Sequence, residues 1–121
     1  MNSTRDNEYQ DGMAVGALVG ALGLWRTLLG NNKHTQPQQL AFALACSSES
    51  RALRVAAFLR RNRACAATRI DQIDAAARAD WLVQGATRRE VQSLANLESL
   101  FTWLRRAAHA HQVNLLDLRL A

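Results

Sequence analysis

Proline occurs once in this 121-residue chain, tyrosine once and cysteine twice, and Lys33 is the only lysine beside fourteen arginines. So little proline excludes a collagen-like, proline-rich or linker-dominated chain. Cys46 and Cys65 stand nineteen residues apart with no CxxC, which excludes a disulfide framework and a zinc ribbon and leaves them as small buried hydrophobes. The uncharged run from Gly12 to Trp25 has 14 residues and is closed by Arg26, short of the roughly 18–20 needed to cross a bilayer. The N-terminal MNSTRDNEYQD sets Asp6, Glu8 and Asp11 against Arg5, the reverse of a basic signal-peptide start, so a cytoplasmic location is expected.

Catalytic patterns are also missing. No glycine-rich phosphate loop, His-Glu-x-x-His pair or Cys/His set at metal spacing occurs, so the expectation is a protein that is not an enzyme and takes no metal and no cofactor. His109 and His111, two residues apart, would point to different sides of a helix and read as solvated surface residues.

What remains is a single domain spanning 1–121, 49% hydrophobic and rich in alanine and leucine, with an acidic leader (1–11) and an apolar tail (113–121) at its ends. Helix propensity this strong predicts an all-α fold, a compact bundle of four to five helices. The first covers the Gly12–Trp25 run. A turn at Gly30-Asn31-Asn32-Lys33-His34 leads to a short second helix, with Thr35 as N-cap and Pro37 in its first turn, ending near Ala45. Ser47 or Ser48 caps a third helix reaching about Arg63, with Ala52, Val55, Ala56 and Leu59 as its apolar stripe. Thr68-Arg69-Ile70-Asp71 reads as a capping box opening a fourth helix that carries Ile70, Ile73, Ala77 and Trp81 and an Asp74 to Arg78 pair, ended by Gly85. Thr87-Arg88-Arg89-Glu90 reads as a second capping box, before a helix with Leu94, Leu97, Phe101, Leu104 and Ala108 on one side. The tail fits a strand or a helix extension equally well.

Glycines at 12, 16 and 20 repeat every fourth residue, although each mid-helix glycine costs about 0.5–1 kcal/mol relative to alanine. Gly12, Gly16 and Gly20 then share one helix face, flat enough for another helix to approach closely, within this fold or from a neighbouring subunit.

The net charge is +5, and it is concentrated: Arg51, Arg54, Arg60, Arg61, Arg63 and Arg69 lie between Glu49 and Asp71 with no acidic residue among them. On a helical wheel Arg51, Arg54 and Arg61 oppose the apolar stripe, with Phe58 between them. An arginine face with an aromatic suits the phosphate backbone of RNA or of single-stranded nucleic acid, where binding is salt-sensitive and independent of sequence. The same face also serves a helix that merely solvates its outer side.

Three segments carry a family likeness: GALVGALGLWRTLLGNN (16–32), QQLAFALACS (38–47) and WLRRAAHA (103–110). In order and character they resemble the small all-helical subunit of Cmr-type (type III-B) CRISPR RNA-guided effector complexes, about a third of the chain being covered. The resemblance implies a non-catalytic subunit, copies of which stack along a guide–target duplex, with Arg105 and Arg106 matching the family's C-terminal basic pair. The nucleic-acid-binding candidates are therefore Arg51, Arg54, Phe58, Arg60, Arg61, Arg63, Arg105 and Arg106. The alternative is a protein-interaction module, such as a secretion or assembly chaperone or a phage or plasmid accessory protein, that docks a partner through its tail and glycine face.

Overall fold

In the segment Leu40–Cys46, LAFALAC, large and small residues alternate with a period of two, the spacing of a strand whose two faces differ. The computed structural model describes residues 3–61, 65–75 and 78–121, and this segment is a strand in it. The chain runs α1 (Ser3–Gly30), β1 (Pro37–Gln38), β2 (Leu40–Cys46), α2 (Glu49–Arg61), β3 (Cys65–Ala75), β4 (Arg78–Thr87), β5 (Glu90–Val91), α3 (Leu94–Ala110) and β6 (Asn114–Leu120). The all-α bundle of four to five helices expected from composition is thus not formed: the fold is α/β, with three helices and six strands among the described residues.

Strands β3-β4-β2-β6 form one antiparallel sheet in that order, and β1 pairs with β5 in a separate short ribbon. The sequence β2-α2-β3-β4-α3-β6 with this strand order has the connectivity of the split βαβ, or ferredoxin-like, arrangement, to which α1 and the ribbon are added. The fold by itself indicates no function, because this arrangement hosts many.

The segments that form strands where helices were expected do so for one physical reason. The second and fourth expected helices, near 35–45 and 68–85, are β2 and the β3–β4 hairpin, in which Ile70 pairs with Val83 and Thr68 with Gly85. Alanine's helix preference amounts to only tenths of a kcal/mol per residue, less than the stabilisation from burying one face of a paired strand. Leu40, Phe42, Leu44 and Cys46 all point into the core, where Phe42 is 1% exposed, while Ala41, Ala43 and Ala45 face the other way. Gly85 is a mid-strand residue, not a helix end. A Cβ there would collide with the Phe42 ring, so glycine is what lets β2 bring phenylalanine across.

Thr87-Arg88-Arg89-Glu90 does not open a helix either. The Thr87 hydroxyl accepts the Leu40 N–H at 3.0 Å and donates to the Arg88 carbonyl at 3.1 Å, closing the end of β4. The last helix starts six residues later, where the Ser93 hydroxyl accepts the Asn96 N–H at 3.1 Å. The tail pairs with β2 as edge strand β6 and is no free segment.

The helices cover one face of the sheet. The stripe Ala52, Val55, Ala56 and Leu59 of α2 is fully buried, as its spacing indicates, beside Leu97, Leu104 and Ala108 of α3 and Leu24 and Leu28 of α1. The opposite sheet face carries Ala41, Ala43 and Ala45 of β2, Leu82, Gln84 and Ala86 of β4, and two exposed ion pairs, Arg69–Asp71 at 2.8 Å and Arg119–Asp117 at 2.7 Å. No helix among the described residues is long and apolar enough to cross a membrane.

Candidate nucleic-acid interface

Positions 51, 54, 58 and 61 of α2 follow one another at intervals of three, four and three, which places Arg51, Arg54, Phe58 and Arg61 on one stripe of the helix. Val55 and Leu59 anchor the other side in the core, so this stripe is held outward: Arg54, Phe58 and Arg61 are exposed and Arg51 is half-buried. Glu49 in the first turn and Arg60 and Arg61 in the last both complement the helix dipole.

The sheet topology brings the C-terminal half of α3 alongside. Phe58 stacks on Trp103 with ring centroids 6.0 Å apart at 26°, and His111 lies against the same phenylalanine at 5.2 Å. Beside this aromatic group, Arg51 and Arg54 face Ala110, His111 and Gln112 across a polar cleft of about 260 Å³. The turn that presents His111 is fixed by its backbone. Gln112 takes the left-handed conformation at φ 55°, and the Val113 N–H reaches back to the Ala108 carbonyl at 2.9 Å, the pattern of a Schellman cap. Trp103 and Arg106 line a further cleft on the α3 surface with Glu98 and Thr102.

Among the described residues, Arg51, Arg54 and Arg61 make no ion pair with a carboxylate. The result is an unneutralised cationic edge beside stacked rings, the combination that holds a phosphate chain by charge and its bases by stacking. Cys46 is buried beneath it; burial pushes its thiol up from the ordinary 9.0, opposed by the nearby Arg51 charge and reinforced by Asp80. No group of three or more candidate metal ligands occurs among the described residues.

The structure divides the arginines that the sequence grouped together. Arg51, Arg54 and Arg61 stay with Phe58. Arg60 instead donates through Nε to the Thr68 hydroxyl of β3, and Arg69 sits on the far side of the sheet, paired with Asp71. Arg63 lies outside the described residues. The neighbours Arg105 and Arg106 part company: Arg106 is exposed beside Trp103, whereas Arg105 packs its guanidinium onto Gly16 of α1, with its Nε buried and without a hydrogen-bond partner.

Gly16 and Gly20 face α3 of the same chain. A Cβ at Gly20 would come within 2.7 Å of the Phe101 ring, and one at Gly16 within 2.6 Å of Arg105 Cζ. The four-residue repeat of α1 therefore meets the four-residue repeat Phe101/Arg105 of α3, ridge against flat surface. Gly12 belongs to the same helix, but its surroundings lie outside the described residues. Sequence reasoning missed Trp103 and His111 as site residues. No local signal marks them, since they are separated from Phe58 by 45 and 53 positions and meet it only through the sheet. No protein-family model matches the chain, and no curated protein does.

Proposed function

We propose that this protein is a non-catalytic binder of RNA or single-stranded DNA that engages the sugar–phosphate backbone through the α2–α3 cleft. The supporting observation is the stripe Arg51-Arg54-Phe58-Arg61 lying against Trp103 and His111, with no carboxylate pairing its arginines among the described residues. Arginine's planar fork matches phosphate geometry, and its weak hydration lets it sit against aromatic faces. Binding of this kind positions a strand without reading its sequence. The reading stands apart from the type III-B resemblance, whose all-helical fold is not the fold of this chain.

A salt titration of binding to a labelled single-stranded RNA tests it. The triple variant Arg51/Arg54/Arg61→Ala should bind more weakly on every sequence, with the dependence of log affinity on log salt shallower by roughly 0.7 for each phosphate that is no longer neutralised. A folded triple variant with wild-type affinity and slope removes this cleft from the function.

A further inference from the structure

Trp103 belongs to two surroundings at once. On one side it stacks with Phe58 beside the arginine stripe; on the other it walls a separate cleft of about 270 Å³ between β5 and the first half of α3, together with Arg88, Glu90, Gln92, Asn96 and Leu100. Asn96, Leu100 and Trp103, at i, i+4 and i+7, share one face of α3, and Glu90 of β5 and Gln92 just after it line the cleft with them.

From these residues we infer that this cleft is a nucleobase pocket. The inference rests on the nucleic-acid reading above. The cleft falls just below the ~300–1,000 Å³ of pockets for drug-sized ligands, a size suited to one flat ring system. Trp103 and Leu100 offer it an apolar wall. The polar groups offer both donors and acceptors, as a base edge requires. Gln92 is buried at the cleft wall, its side-chain N–H donating to the Glu90 carbonyl at 3.3 Å, and the exposed Glu90 carboxylate offers two acceptor oxygens. Asn96 contributes an exposed amide, since its capping bond uses only its backbone N–H. Glu90 and the Asn96 amide oxygen accept from the amino groups of adenine, cytosine or guanine, while the Arg88 guanidinium supplies a donor for a ring nitrogen or carbonyl of the same base. A base reaches such a pocket only when unpaired and splayed from its neighbours, which is how single strands are recognised.

The experiment compares a short single-stranded deoxyadenylate oligomer with an abasic oligomer of the same length, which keeps the phosphates and lacks the bases. The adenylate should bind roughly 10-fold or more tightly than the abasic strand, the scale of one stacked base. Asn96→Ala should bring adenylate binding down to the abasic level and leave abasic binding unchanged, while Trp103→Ala, which also removes the ring stacked on Phe58, should weaken both strands and the adenylate more. Asn96 is exposed on α3, so its variant decides the matter even where Trp103→Ala fails to fold. Equal binding of the two strands, still dependent on Arg51, Arg54 and Arg61, overturns the pocket and spares the phosphate reading. An adenylate advantage that survives Asn96→Ala overturns the pocket's location. Absence of binding to either strand overturns both readings.

Discussion

Replacing each of four glycines by alanine, one at a time, separates the local cost of glycine from the space it makes for a neighbour. At Gly23, exposed on α1, nothing lies within 4 Å of the added Cβ, so only helix propensity acts and alanine should stabilise by about 0.5–1 kcal/mol. At Gly16 the same gain is offset by displacing the Arg105 guanidinium, the far end of a flexible side chain, and the net change should be small. At Gly20 the Cβ would lie 2.7 Å from a Phe101 ring atom, and overpacking of this kind typically costs about 1–3 kcal/mol, so the balance turns to a loss of up to about 2 kcal/mol. Gly85 is the most severe case. Its Cβ would strike the Phe42 ring, which is 1% exposed and walled in by the core, and there is no helix propensity to recover. For a chain of this length each kcal/mol moves the melting temperature by roughly 3–6 °C. Thermal melts followed by far-UV circular dichroism should therefore rank Gly23→Ala above wild type, Gly16→Ala near it, Gly20→Ala below and Gly85→Ala lowest. Phe42→Leu should partly rescue Gly85→Ala in a double-mutant cycle, since the shorter side chain vacates the contested volume. If Gly20→Ala or Gly85→Ala melts as high as Gly23→Ala, the close approaches assigned to α1–α3 and β2–β4 do not exist.

Thr87→Val keeps the shape of the residue but leaves the buried Leu40 N–H unpaired, so urea unfolding should show a loss of about 1–3 kcal/mol. Ser93→Ala removes the N-cap of α3 and should cost about 1 kcal/mol by the same measurement. Gln112→Gly relieves a left-handed residue and should stabilise by several tenths of a kcal/mol or more, whereas Asn32→Gly, with φ 56° at the matching end of α1, should be close to neutral because asparagine tolerates that conformation. Because burial raises the Cys46 thiol in the folded state, its contribution to stability is complete below the ordinary value of 9.0 and is lost as pH rises through the folded value. Alkylation of Cys46, followed by peptide mass spectrometry, should accordingly be slower in native than in urea-unfolded protein at the same alkaline pH.

Three things were written plainly in the sequence. The apolar stripe of α2 and its opposing arginines share one 3.6-residue period, so burying Ala52, Val55, Ala56 and Leu59 necessarily turns Arg51, Arg54 and Arg61 outward. The repeat of glycines every fourth residue announced a close helix approach, and the spacing of Leu97, Leu104 and Ala108 announced the core face of α3. The alternation of Leu40, Phe42, Leu44 and Cys46 with alanines also marked a strand, but alanine fits either period and its helix preference masked the signal.

Only the tertiary structure decided the rest. Whether 65–87 forms a helix or a hairpin depends on β2 being available to pair with β4, a pairing between residues some forty positions apart that no local propensity encodes. The candidate interface has the same origin. Phe58, Trp103 and His111 come together because α2 and α3 rest on one side of the same sheet, and Arg60, Arg69 and Arg105 leave the cationic group because Thr68, Asp71 and the flat face of α1 engage them elsewhere. Local sequence set the direction of each side chain from its own helix or strand; which side chains meet was set by strand order, where burial shared across the whole sheet outweighs the preference of any single segment.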